Sequence, residues 1–396
     1  MQRPLLGFVV FVAILSAIVG GLHYYIWARL VRAPELPATW QRAGTIAVIA
    51  LAALIPVGIF LSRALPQPAA GVLAMVVYGW FGFAVLLFFL LVTSDLLRAS
   101  VLIGWKLAGT PVDAERRAFL ARLLAGVVGG LALGAGAFGI ASALGKVSVQ
   151  RVRVALRRLP PELAGYRLVQ ITDLHVGPTI GRAYVGSVVE QINALSPHAV
   201  VITGDLVDGS VERLRDEVAP LAEIRARDGV FFVTGNHEYY SGVDEWMEHL
   251  GTLGIKVLHN ERVTLGEGDR TFDLAGVPDW SARRGGDPRQ TPDLAHALAG
   301  RDPARELVLL AHQPKQIVEA AAAGVGLMLS GHTHGGQIFP WGLLVRLDQP
   351  FVAGLDRLGD TQIYVSRGTG YWGPPMRVAA PSEITLLELE PGGAAA

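Results

Sequence analysis

The sequence predicts two chemically different regions in one chain. An N-terminal α-helical membrane region with four transmembrane helices occupies residues 1–146, and an α/β domain occupies residues 147–396. Three observations carry this. Four long apolar runs, each free of charge, precede residue 146. The 34 Lys+Arg balance 34 Asp+Glu, yet the first 148 residues hold 11 basic and 4 acidic side chains and the remainder 23 and 30. Beyond residue 147, short β-rich runs alternate with helical stretches, and nine of the ten His lie there.

Composition narrows the function classes. Hydrophobic residues make up 51% and charged residues 17% of the chain, against about 25% charged in a typical soluble protein. This excludes a disordered chain and argues against a wholly soluble one. The absence of Cys excludes disulfides, thiolate metal sites and a Cys nucleophile. Zero net charge argues against a protein held to nucleic acid over its whole surface, so no nucleic-acid partner is expected.

The spans are expected at about residues 5–26, 43–62, 70–94 and 123–145, each long enough for the ~20 apolar residues that cross ~30 Å of hydrocarbon. A cleaved signal peptide would explain only the first. Pro56, inside the second, is tolerable where neighbouring helices satisfy the freed carbonyl. Gly126, Gly130 and Gly134 recur every four residues in the fourth, which predicts close approach of another helix. The loops after spans one and three carry Arg29, Arg32, Arg42, Arg98, Lys106, Arg116, Arg117 and Arg122, against Arg3, Arg63 and Lys146 on the other side. The positive-inside rule puts those loops in the cytoplasm. Counting Arg151, Arg153, Arg157 and Arg158 with the other side would narrow the margin to eight against seven. Arg116-Arg117-Ala118-Phe119-Leu120 before an apolar stretch looks like a twin-arginine export signal, although an ordinary basic helix end has the same composition. Both cues place residues 147–396 on the extracytoplasmic side of the cell membrane.

In the second region, Arg151–Val154 alternates like a strand with one solvated basic face. Strands are expected at Tyr166–Thr172, Ala199–Thr203, Val230–Thr234, Glu306–Ala311 and Val325–Ser330, with helices such as Arg182–Leu195 and Val211–Ala226 between them. In layered α/β folds, sites collect beyond the carboxyl ends of strands. Every unusual residue lies there: Asp173-Leu174-His175, Gly204-Asp205-Leu206-Val207-Asp208, Gly235-Asn236-His237-Glu238, His312, and Gly331-His332-Thr333-His334-Gly335-Gly336. Carboxylate, amide and imidazole together suit Mn, Fe or Zn. Residues i and i+2 leaving a strand point the same way, so Asp173 with His175, and His332 with His334, can converge. Each pair alone is common on protein surfaces; five in order, each after an apolar β run, are not.

The order Asp-x-His, Gly-Asp-x-x-Asp, Gly-Asn-His-Glu, His, Gly-His-x-His resembles the calcineurin-like metallophosphoesterase superfamily from about residue 166 to 389. The Gly-His-Thr-His-Gly-Gly-Gln form is similar to its YkuE/YaeI-like branch, as is the run from Ser366-Arg367-Gly368-Thr369-Gly370 through Pro374-Pro375-Met376-Arg377 to Pro381-Ser382-Glu383-Ile384. The resemblance implies a four-layer αββα sandwich with two divalent metal ions at the strand ends. Asp173, His175 and His334 would hold one ion, Asn236, His312 and His332 the other, and Asp205 would bridge both. His237 would face the leaving group, with Asp208 holding its ring in one tautomer.

The implied activity is hydrolysis of a phosphomonoester or phosphodiester by attack of a metal-bridging hydroxide. Phe339-Pro340-Trp341-Gly342-Leu343-Leu344 and Tyr371-Trp372 offer either an apolar lip for a lipid or cell-envelope phosphoester, or packing at the sandwich edge. Arg367 and Arg377 are candidate phosphate-binding donors, or partners of surface carboxylates. The expected partners are thus a phosphoester substrate and membrane lipids. The alternatives are a cytoplasm-facing pyrophosphohydrolase of a UDP-diacylglucosamine-type lipid, and a non-catalytic metal-binding membrane module. The intact His237–Asp208 pair argues against the latter.

Overall fold

The computed structural model describes residues 2–66, 68–109 and 113–392. The chain divides into two compact units, Met1–Leu144 with Gly373–Val378, and Gly145–Trp372 with Ala379–Ala396.

The first unit is helical. Helix α1 (Gln2–Trp27) runs on into a π-helical turn (Ala28–Arg32), followed by α2 (Ala38–Ala64), α3 (Ala69–Leu107) and α4 (Ala114–Leu144). All four are long and apolar enough to cross a membrane. Their exposed side chains are largely apolar, such as Ile46, Ile49, Val72, Leu133 and Phe138, an outer surface suited to lipid rather than water. Ile26, Ala84, Leu87, Leu91, Val128 and Ala132 form the buried seam. The buried His23 is satisfied by the Val19 carbonyl at 2.8 Å and by the Trp80 indole N–H, which donates to Nε2 at 3.0 Å.

Two expectations are corrected here. Helix α3 continues beyond the expected span at residues 70–94 to Leu107, roughly 58 Å in all. Nothing in Leu96–Leu107 breaks a helix, so Arg98 and Lys106 sit on that continuation rather than in a loop. Among the described residues, the close helix approach is not at Gly126, Gly130 or Gly134, where a Cβ would meet none of them within 4 Å. It is at Gly58, where a Cβ would overlap Val77, and at Gly136, packed on Phe83.

The second unit is a sandwich of two six-stranded sheets. The first has the order β1 (Ser148–Leu156), β12 (Glu383–Pro391), β2 (Tyr166–Ile171), β3 (Ala199–Thr203), β4 (Val230–Val233), β5 (Ile255–Val257). The second has the order β10 (Gly354–Leu358), β11 (Thr361–Val365), β9 (Leu327–Ser330), β8 (Leu307–Leu310), β7 (Arg270–Gly276), β6 (Glu261–Glu267). Strands β2 to β5 run parallel, as do β7, β8, β9 and β11.

Side-chain alternation builds the layers. In β8, Val308 and Leu310 enter the core between the sheets with Leu168, Val201, Phe231 and Leu387, while Leu307 and Leu309 pack outward with Ile317 and Ala320 of a covering helix. The other outer face is covered by α5 (Arg182–Ala194), α6 (Val211–Val218), and, beyond α7 (Asn236–Ser241), α8 (Val243–Thr252). Helix α5 buries Val185, Val188, Val189 and Ile192, an i, i+3, i+4, i+7 stripe. This is the expected four-layer αββα arrangement. The helix expected over Val211–Ala226 ends at Val218 and tightens into a 3₁₀ turn containing Pro220. The basic face of β1 is exposed and meets β12 acids, with Arg151 3.5 Å and Arg153 3.7 Å from Glu388.

Candidate metal centre

Strands β2, β3, β4, β8 and β9 are buried on both faces and end at one edge of the sandwich, so the residues that follow them are brought together. Asp173, His175, Asp205, His332 and His334 all have left-handed backbone, with φ of 52°, 51°, 50°, 70° and 51°. Such conformations are costly for residues other than glycine, and they cluster where side chains must be aimed. Two glycines provide the necessary closeness. A Cβ on Gly331 would overlap the Asp173 carboxylate, and one on Gly235 would overlap that of Asp205.

Three groups of ligand-type atoms result: Asp173 with His175 and His334, Asp205 with His312 and His332, and Asp208 with His175 and His237. Nε2 of His175 lies 3.1 Å from Nε2 of His334, and His334 Nε2 lies 3.4 Å from Asp173 Oδ1. His312 Nε2 is 3.2 Å and His175 Nε2 3.8 Å from the same Asp205 Oδ2. His332 and His334, which strand alternation alone would bring together and the resemblance divides between two ions, join different groups. The simple i, i+2 rule assumes extended backbone, and the left-handed turn at each His breaks it.

Three of the rings are oriented through Nδ1. The Thr203 carbonyl accepts from His312 Nδ1 at 2.7 Å. Asp208 Oδ1 accepts from His237 Nδ1 at 2.6 Å and from His175 Nδ1 at 3.1 Å. The fully buried Asp173 accepts from the His332 backbone N–H at 3.0 Å and from Thr172 Oγ1 at 2.8 Å. Asp205 Oδ1 accepts from the His237 backbone N–H at 2.9 Å.

Without a metal, these groups have displaced proton affinities. Burial drives the Asp173 carboxyl upward. Burial acts the same way on Asp205 and Asp208, but nearby imidazoles, His312 for Asp205 and His175 for Asp208, hold both well below the usual carboxylate range. Burial also opposes a charged His237, yet the Asp208 hydrogen bond and the Asp205 charge raise it to about 9. Burial and the neighbouring His312 push His332 down to about 3, leaving a neutral ring with a free lone pair.

The donor set fits divalent cations. Asn236 Oδ1 and His312 Nε2 are buried with no aligned hydrogen-bond partner among the described residues. An unsatisfied buried polar atom costs about 1–3 kcal/mol, a cost that a coordinated cation removes. Carboxylate, amide oxygen and imidazole suit Mn, Fe or Zn.

Other expected site residues lie apart from these groups. The Arg367 stem packs on Gly335, next to His334, while its Nη1 pairs with Glu383 Oε2 at 2.9 Å. Arg377 is fully buried in the segment assigned to the helical unit, where its N–H donates to the Gly139 carbonyl of α4 at 2.9 Å. A residue given no role from sequence matters more. Glu238 is fully buried, and its carboxylate accepts from the backbone N–H groups of Asp205 at 3.0 Å, Leu206 at 2.8 Å and Gly235 at 2.6 Å. It ties the β3 end to the β4 end, while burial and Asp205 push its carboxyl up to about 7. Its signal was its position three residues after Gly235, the capping-box spacing at the start of α7.

Comparison with known proteins agrees with this geometry. Residues 166–336 match the family model of calcineurin-like phosphoesterases. A "transmembrane protein with metallophosphoesterase domain" from Danio rerio is 36% identical over 403 residues, covering 98% of this chain and 91% of that protein. A metallophosphoesterase of Helicobacter pylori is 42% identical over 255 residues, covering 64% and 66% of the two chains. The metallophosphoesterase YkuE of Bacillus subtilis is 27% identical over 286 residues, covering 70% and 98%.

Proposed function

Because the chain belongs to the calcineurin-like metallophosphoesterases, among members that also carry transmembrane helices, we propose that it holds two divalent ions and hydrolyses a phosphomonoester or phosphodiester of lipid or cell-envelope origin outside the cytoplasm. The carrying observation is Asp205, a single buried carboxylate whose Oδ2 lies within 3.8 Å of imidazoles from two ligand groups, His175 and His312. A shared carboxylate is what a dinuclear centre requires.

In this reading Asp173, His175 and His334 hold one ion, and Asn236, His312 and His332 the other, with Asp205 common to both. Bound there, the ions supply Lewis acidity toward phosphoryl oxygens and lower the pKa of a water toward neutrality. The rest falls to the protein. Asp208 fixes His237 with Nδ1 protonated, so that Nε2, 4.0 Å from Asp205 Oδ2, carries its proton on the side of the metal groups. As the P–O bond breaks, that proton passes to the departing oxygen and an alcohol leaves. In the metal-free protein the Asp208 hydrogen bond and the Asp205 charge raise His237 to about 9, and a general acid must carry its proton at the working pH.

The test uses detergent-purified protein, stripped with chelator and reloaded with Mn, Fe or Zn separately. Reloaded wild type is expected to hydrolyse bis(4-nitrophenyl) phosphate, and stripped protein is not. Asp205→Ala should lose bound metal and activity together. His237→Ala should keep its metal while turnover falls about 10²–10⁴-fold. Full activity in Asp205→Ala refutes the assignment.

A further inference from the structure

Shortly after the last proposed ligand, and beyond the buried Ile338, the uncharged run Phe339–Leu344 presents Phe339, Trp341, Leu343 and Leu344 outward. Phe339 is 61%, Leu343 62% and, just beyond the run, Leu347 85% exposed. Water-facing surfaces seldom gather large apolar side chains in one short segment. The segment is tied to the catalytic edge. The Gln337 side chain donates to the Trp372 carbonyl at 2.9 Å and accepts from the Trp372 N–H at 3.0 Å. The Trp372 ring, 55% exposed, stands edge-on 5.6 Å from the His237 ring. Exposed apolar surface and the proposed acid are thus parts of one local structure.

We infer that Phe339–Leu347 and Trp372 form a membrane-docking lip, and that the substrate is a bilayer-resident phosphoester reached through it. A small water-soluble phosphoester needs no such surface. The occupant is the bilayer itself, because the same chain carries in α1–α4 four helices long and apolar enough to cross it. Phe and Trp suit the headgroup boundary, and the exposed Arg346 beside Leu347 places a cation where lipid phosphates lie. The inference rests on the phosphoesterase reading above.

The chain has no Cys, so Leu347→Cys accepts a single environment-sensitive fluorophore in the full-length, bilayer-reconstituted protein. Its emission is expected to shift to the blue and to be quenched by brominated phosphatidylcholine, unlike that of a Glu190→Cys control on α5. A label unquenched by brominated lipid, whether wet or covered by protein, overturns the lip. Turnover is compared between bis(4-nitrophenyl) phosphate in water and hexadecyl 4-nitrophenyl phosphate in phosphatidylcholine bilayers. Leu343→Glu with Leu347→Glu should lower turnover of the bilayer substrate by about tenfold while leaving the soluble one within about twofold. Equal effects on both, or on neither, overturn the inference. Failure of wild type on the soluble diester overturns the phosphoesterase reading instead, and the fluorophore result still decides the lip.

Discussion

Asp208 is the residue on which two imidazoles turn. One oxygen accepts from Nδ1 of both His237 and His175, so its charge fixes the tautomer of a proposed ligand and of the proposed acid at once. Partners of this kind are worth about 10–100-fold in metal affinity or activity. Asp208→Asn, nearly equal in size, is expected to weaken metal binding through His175 and to slow turnover through His237. Metal titration and steady-state kinetics on the same preparation would check this. Unchanged affinity and turnover would mean that the rings are held by packing instead. At this scale the sequence was highly legible, since Asp173, His175, Asp205, Asp208, His237, His312, His332 and His334 all fall within the three ligand groups. Strand alternation alone would have brought His332 and His334 together, whereas the resemblance divided them between two ions; the left-handed φ values that separate them are not dictated by residue type.

The strand ends act together only because they are tied to each other. Glu238 takes backbone donors from both the β3 and β4 ends. Glu238→Ala orphans these buried N–H groups at about 1–3 kcal/mol apiece. The variant is expected to unfold at a clearly lower temperature in calorimetry and to bind metal poorly, although it removes no proposed ligand. A thermal midpoint equal to wild type would show that the strand ends are held otherwise. Strands β2, β3, β4, β8 and β9 were readable to within one or two residues, since strands buried on both faces are continuous apolar runs. Strand β10, mostly exposed, and the half-buried β6 have no such signature and are strands because β11 and β7 pair with them. Strand β12 pairs with β1, more than 200 positions earlier, through register rather than local pattern.

For the molecule as a whole, the sidedness of the membrane sets which substrates are met. Eight basic residues lie where α1 and α3 end and α2 and α4 begin, against Arg3, Arg63 and Lys146 at the opposite helix ends. Arg29 pairs with Asp95 at 2.8 Å, and Arg122 donates to the Pro34 carbonyl at 2.8 Å, joining the end of α1 to α3 and α4. With that end in the cytoplasm, alkaline phosphatase fused at the C-terminus is expected to be active in cells and a green fluorescent protein fusion dark. The opposite pattern overturns the extracytoplasmic placement and favours a nucleotide-linked lipid inside the cell. The sequence by itself determined the division into an apolar helical part and an α/β part, and the residue types of the site. Hydrocarbon length, charge and a chemically distinctive set of side chains are properties of the chain alone. Only the tertiary structure decided that the His332 and His334 side chains diverge through left-handed turns, that Asp208 serves two rings, and that Glu238 locks two strand ends. These depend on backbone torsions and on contacts between residues far apart in sequence, which local pattern does not encode.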